Sequence, residues 1–236
     1  MKQIPLAIGP EPLPTFDNFV SGANAAASHH LQALALPGAP VYLWGSAGSG
    51  KTHLLRALAA RCQAAGGVVA WFDALDRLPW ALPGGVALAV IDRCELLDAD
   101  AQHAAFALFV DAATHGVQLA AAGRLPPVDL PLRDDLRTRL AWGHVYALEP
   151  LAEAETRAVL RREADHRGIF LSDEIMDYLL THFDRDLSHL MRLLDRLDHF
   201  ALAKARPVTI PLVRQMLLEE GAEVRVELAA PMAPTP

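Results

Sequence analysis

The 236-residue sequence predicts an α/β fold: a parallel sheet covered by helices, followed by a small all-helical domain. Three observations carry that expectation. Up to Pro150, short apolar runs alternate with helical patterns, as repeated βαβ units require. A glycine-rich turn, "GSAGSGKT" (Gly45–Thr52), joins one of those runs to a helix. Past Pro150 the strand pattern stops, and apolar residues recur only at helical spacing.

Taken in order, the chain opens on "KQIPLAIGPEPLP" (Lys2–Pro14), which Pro5, Pro10, Pro12 and Pro14 leave too broken for a helix or central strand. "TFDNFV" (Thr15–Val20) and a helical stretch around Ala25–Ala35 lead to Pro37-Gly38. "VYLW" (Val41–Trp44) reads as a short buried strand, and a helix follows from about Lys51 to Ala65. Further strands are expected at "VVAWF" (Val68–Phe72), "VALAVI" (Val86–Ile91), "VQLAAA" (Val117–Ala122) and "HVYAL" (His144–Leu148). Helices are expected near Asp100–His115 and Arg133–Leu140. In the helical part, Leu187, Leu190, Met191, Leu194 and Leu197 mark one apolar face, with Ser172 and Thr209 at N-cap positions. The expected boundaries are a flexible tail over 1–14, an α/β core over 15–150, a helical domain over 151–220 and a disordered end over 221–236.

Composition narrows the function classes. The chain is 52% hydrophobic and 21% charged, with a formal net charge of −7, which disfavours wholesale electrostatic wrapping of nucleic acid. Cys62 and Cys94 make no disulfide framework, so a reducing compartment fits. The first residues fail as a secretory signal, because a single Lys precedes a short apolar run that Pro5 interrupts. Apolar runs such as Val86–Ile91 fall far short of the roughly 20 residues a membrane span needs. A soluble, cytoplasmic protein without a membrane partner is expected. The ten histidines form no cluster with metal-ligand spacing.

The strongest motif is Gly45–Thr52, which satisfies G-x-x-x-x-G-K-[ST] directly after a strand and at the start of a helix. Glycines let the backbone N–H groups curl toward phosphate oxygens, and the helix N-terminus adds positive potential. Lys51 would reach the β- and γ-phosphates, and Thr52 would ligate Mg²⁺. The plainer alternative is a glycine-rich turn before an ordinary helix, but order and context favour phosphate. A second magnesium-side group is expected at the end of a neighbouring buried strand, and Asp92 supplies it. Many such ATPases place a carboxylate right after this Asp to orient water. Here Arg93 follows, and Glu95 comes two residues later, so little ATP turnover is expected from this chain alone.

"TFDNFVSGAN", "GSAGSGKTHLL", "RLAWGHVYALEPL" and the helical lid together resemble the AAA+ module of the DnaA family over roughly residues 15–218. The resemblance implies that ADP or ATP with Mg²⁺ is held by Gly45, Gly48, Ser49, Gly50, Lys51, Thr52, His53 and Asp92. Phe16, Val20 and Asn24 would line the adenine pocket. "LDRLDHFALAKARPVTIPLVRQML" (Leu194–Leu217) is similar to the ending of Hda proteins, the regulatory inactivators of that family, and the absence of a following DNA-reading domain agrees. This implies two partners, the sliding clamp of DNA polymerase III and DnaA, without sequence-specific DNA binding; homo-oligomerisation is left open. Arg139 in "LRTRLAWG" falls where the family places an arginine finger, whose planar permanent charge suits a developing phosphoryl charge. The bland alternative leaves Arg137 and Arg139 solvated or paired with Asp134 and Asp135. Gln3, Ile4, Leu6 and Ile8 resemble the clamp-binding motif of Hda proteins, and the prolines keep that peptide extended.

Two departures from the family stand out. "GRLPP" (Gly123–Pro127) replaces a turn that usually carries a polar sensor. Ser188 stands where a second, arginine sensor is usual, with Arg185 and Arg192 a helical turn to either side. The competing functions are an autonomous ATPase such as a helicase loader, and a small-molecule kinase. The first would turn over nucleotide unaided. The second would need a substrate insertion with clustered arginines.

Overall fold

A computed structural model describes residues 13–183 and 186–228, with the side chains of Ser188 and of residues 220–228 excepted. The chain divides into two compact units, one ending at Ala152 and the other beginning at Glu153.

In the first unit five strands, β1 (Val41–Trp44), β2 (Val68–Asp73), β3 (Val86–Asp92), β4 (Gln118–Gly123) and β5 (His144–Ala147), form one sheet in the order β2-β3-β4-β1-β5. All of the pairings among them are parallel, with Val41 opposite both Ala120 and His144. Helices α1 (Ala25–Ala33), α2 (Lys51–Ala64), α3 (Ala99–His115) and α4 (Asp134–Ala141) link and cover them. The strands lie within a few residues of their expected places; β4 is shifted by one, to end on Gly123.

Period-2 alternation sorts the strand residues onto two faces, and both faces are buried, as a parallel sheet requires. Tyr42, Ala89, Ile91, Leu119 and Ala121 pack with α3 and α4. Leu43, Leu88, Val90, Ala120 and Ala122 pack with α1 and α2. This explains why β3 and β4 read as uninterrupted apolar runs. The three consecutive alanines of β4 are fully buried, and their small side chains let helices approach both faces closely. β5 is an edge strand and largely exposed, which matches its mixed composition. α3 starts on an Asp98 cap that accepts from Ala101 N at 2.8 Å and stops at Gly116 in the left-handed region (φ 66°).

The second unit contains α5 (Glu153–His166), α6 (Asp173–His182), α7 (Leu187–Lys204) and α8 (Ile210–Leu228). Ser172 caps α6 by accepting from Ile175 N, and Thr209 caps α8 by accepting from Leu212 N. Leu160, Met176, Leu190, Leu194, Leu197 and Met216 form its core, while Leu187 and Met191 are only partly buried on its margin. Just beyond α5, the Arg167 guanidinium bridges Glu163 on that helix and Asp195 on α7. One boundary needs correcting. The helix α8 continues to Leu228, where a disordered end was expected from residue 221. Glu, Ala, Val and Arg sustain helical backbone through Gly221, and the first residue that forbids it is Pro231. Among the described residues no helix is long and apolar enough to cross a membrane.

Candidate functional site

β1 delivers the chain into the glycine-rich loop, and α2 begins on Lys51. The loop curls because Gly48 and Gly50 take positive φ values of 75° and 94°. Gly50 has a second reason to be glycine, since a Cβ there would lie 2.6 Å from the Phe19 ring. The Lys51 ammonium sits inside the loop, donating to the carbonyl oxygens of Gly45 (2.8 Å) and Ser46 (2.7 Å), beside the buried Ser49. Although β4 separates their strands, Thr52 and Asp92 meet: Thr52 Oγ1 donates to Asp92 Oδ2 at 2.7 Å. Asp92 is buried, and its Oδ1 accepts from Arg93 N. A hydroxyl and a carboxylate so placed beside the glycine-rich loop fit a Mg²⁺–polyphosphate, because both supply hard oxygen ligands.

Beyond Asp92 the backbone of Arg93 turns through the left-handed region (φ 55°). Its guanidinium is thereby directed at Asp73, the last residue of β2, which it grips through two hydrogen bonds. Burial alone would push the Asp73 carboxyl up, but the Arg93 bonds and charge outweigh it and hold the group below its ordinary range. Glu95 is engaged by Arg124, whose backbone N–H (3.1 Å) and side chain (3.3 Å) both reach it. Gly123 cannot carry a polar sensor for a packing reason. The Tyr42 hydroxyl donates to Leu125 O at 2.8 Å and occupies the space, so that a Cβ on Gly123 would come within 2.3 Å of it. Burial pushes both the Tyr42 phenol and the Cys94 thiol well up, leaving them protonated and unreactive.

The segment before α1 is strapped to the loop helix. His53 Nε2 donates to Thr15 O at 2.9 Å, and its ring lies 5.3 Å from that of Phe19. Burial, aided by the Arg56 charge and opposed by the Thr15 bond, lowers the His53 pKa. Phe16 and Phe19 pack on the α2 side of the sheet, and Val20 is half-buried. Both ends of the buried Asn24 amide are used: Nδ2 donates to Glu149 O (2.8 Å) and Oδ1 accepts from Glu149 N (2.9 Å). Asn24 therefore ties this segment to the chain leaving β5, which makes it a positioning residue. Phe19 was missed in the sequence reading; its spacing of three from Phe16 was the only signal.

Arg139 lies elsewhere. α4 descends from the loop after β4 to the start of β5, which Pro40 O anchors by accepting from His144 N at 2.8 Å. Its last turn is thus at the end of the sheet opposite the glycine-rich loop. Arg137 pairs with Asp134 and Arg133 with Asp135. Arg139 has no carboxylate partner among the described residues; its guanidinium lies 5.9 Å from the ring centres of both Phe106 and Trp142. Gln3, Ile4, Leu6, Ile8 and Arg185 lie outside the described residues, as does the Ser188 side chain. Arg192 is exposed on α7.

Comparison with known proteins finds a family match in each unit. Residues 11–67 match the family model of the bacterial DnaA ATPase domain, and residues 153–217 match that of the Hda lid domain. The matched stretches are similar to DnaA and to Hda, on a fold of the AAA+ type. Among similar solved structures, domain III of DnaA from Thermotoga maritima has 21% identity and a TM-score of 0.70, covering 88% of this chain and 98% of that one. AMPPCP-bound DnaA from Aquifex aeolicus has 22% identity and a TM-score of 0.60, over 78% of this chain and 65% of that one. The Holliday junction branch migration motor RuvB of T. maritima has 17% identity and a TM-score of 0.63, over 86% and 71%. At such identities these structures speak for the shared AAA+ fold, while the two family models match stretches of this chain to DnaA and Hda.

Proposed function

We propose that this protein is a regulatory inactivator of DnaA, which promotes hydrolysis of ATP bound to DnaA and so prevents re-initiation of replication. The observation that carries the proposal is the placement of Arg139. It stands at the opposite end of the sheet from its own phosphate loop and has no carboxylate partner among the described residues, which suits it to a nucleotide held by another molecule. The Hda-type lid supports DnaA as that molecule.

On this reading ADP or ATP with Mg²⁺ occupies the protein's own loop. Gly45, Gly48, Ser49 and Gly50 cradle the phosphates, Lys51 neutralises them, Thr52 and Asp92 hold the metal, and Phe16, Val20 and Asn24 shape the adenine side. The bound metal would supply charge neutralisation. Arg93 turned onto Asp73, and Tyr42 filling the place beside Gly123, leave the chain with little hydrolysis of its own. Arg139 acts in trans by stabilising charge on the γ-phosphoryl oxygens of the DnaA nucleotide. Gln3, Ile4, Leu6 and Ile8 bind the DNA-loaded sliding clamp and bring the protein to replicating DNA.

A reconstitution tests each part. Purified protein is mixed with clamp-loaded DNA and ATP–DnaA, and ADP formation is followed. Wild type should stimulate hydrolysis, Arg139→Ala should lose the stimulation, and Gln3→Ala should lose its dependence on the clamp. No stimulation by wild type defeats the proposal; full stimulation by Arg139→Ala removes the finger.

A further inference from the structure

If Arg139 reaches a partner's nucleotide, whatever stands beside its guanidinium must be covered by that partner. Two features stand there. Trp142, which caps α4, leaves 69% of its surface exposed. Next to it opens a cavity of about 430 Å³ between the Pro37–Pro40 turn and the end of α3, walled by Pro37, Pro40, Phe109, Ala113 and Val117, with Arg139 and Trp142 at its rim.

We propose that Trp142 and this cavity are the docking surface for the ATP-bound partner, the cavity receiving an apolar side chain that the partner presents beside its nucleotide. The proposal rests on the function argued above and adds where binding energy comes from. An exposed indole beside a guanidinium is the pairing that dominates protein interfaces, particularly next to a pocket that admits an anchor. Phe106 and Trp142 orient the guanidinium through their ring faces, where an acidic partner would have cancelled its charge. Arg139 therefore offers full positive charge to a polyphosphate, while the mostly apolar walls offer an apolar anchor a place to bury. Covering Trp142 removes water from the same spot and strengthens the pull of Arg139 on phosphate.

The test separates docking from chemistry. Stimulated hydrolysis is measured against protein concentration with ATP–DnaA and clamp-loaded DNA, and direct binding is titrated with DnaA carrying a non-hydrolysable ATP analogue. Trp142→Ala should raise the half-saturating concentration and the Kd about tenfold or more, with a fall in the saturated rate far smaller than that caused by Arg139→Ala. Trp142→Phe should restore most of the affinity. Arg139→Ala should do the reverse, losing rate and little affinity. Ala113→Gln, at an exposed α3 position, should obstruct the cavity and weaken binding with Trp142 intact. The docking surface is overturned if wild type stimulates and both Trp142→Ala and Ala113→Gln bind as wild type does. It is equally overturned if Trp142→Ala lowers the saturated rate at unchanged half-saturation, for the indole would then only position Arg139. Absence of stimulation and binding by wild type overturns the underlying function itself. Thermal melting of each variant shows that its fold is intact.

Discussion

Where β1, β3 and β4 finish, charged groups are satisfied within the chain: Thr52 bonds to Asp92, Arg93 grips Asp73, and Arg124 grips Glu95. Where β1 and β5 begin, Arg139 rests on two aromatic rings and Trp142 faces outward. Both ends belong to one sheet and share a core, yet they handle charge differently. At the first end, internal pairing fixes each group in place so that a ligand meets a prearranged site. At the second, orientation comes from ring faces, so the charge remains available to something outside the molecule. A cation meant for another protein's ligand is better held by quadrupoles than by carboxylates.

Substitutions at the two ends should separate cleanly, and this is the sharpest way to break the comparison. Arg139→Ala should cut partner-stimulated hydrolysis by about 10³-fold or more while leaving this chain's own nucleotide affinity unchanged, as read by titration with a fluorescent ADP analogue. Lys51→Ala should weaken that affinity by about a hundredfold, because it removes charge-assisted bonds worth roughly 1.5–3 kcal/mol each. Equal loss of both properties in either variant would mean that the two ends are not independent.

A smaller effect concerns Gly123. Gly123→Ala should destabilise the protein by about 1–3 kcal/mol, since its methyl group collides with the Tyr42 hydroxyl. Tyr42→Phe removes that oxygen, so the double variant should recover part of the loss in a thermal melt. Strict additivity would show that Tyr42 does not fill the sensor position. The smallest effect is electrostatic. His53 has a lowered pKa when folded, so the folded state prefers it neutral. The stability it contributes is complete above its ordinary value of about 6.5 and declines as pH falls from there toward the lowered folded value. His53→Gln should flatten part of that decline below about pH 6.5; an unchanged slope would exclude His53 as its source.

The loop, Asp92 and the alternation of strands and helices around them were legible because their signals are local. A strand, a glycine-rich turn and a helix occupy twenty-odd consecutive residues, and a buried run ending in Asp announces itself. What could not be read depends on contacts between distant segments. Phe19 against Gly50, Tyr42 filling the space at Gly123, and the Phe106–Arg139–Trp142 stack each join different elements. Arg93 could be seen to displace a carboxylate, but its grip on Asp73 required knowing that β2 and β3 end side by side. Asn24 was expected by resemblance to line the adenine pocket, and its bonds to the Glu149 backbone, 125 residues away, could not be read from the sequence. The end of α8 was misjudged because Gly221 and a proline-rich finish suggested coil, while the residues between them favour helix.

The short α4 has a consequence for assembly. Its eight residues span about 12 Å, enough to carry Arg139 from the rim where the sheet ends to the rim where it begins. The surface that donates an arginine is therefore distinct from the surface that would accept one. A contact built from these two surfaces is heterologous, so it has a direction, and a pair of molecules joined by it leaves one surface of each kind unused. Any such complex is polar: a row can be started from one side and ended from the other, and on the proposed function the protein at the finger end would decide whose nucleotide is spent.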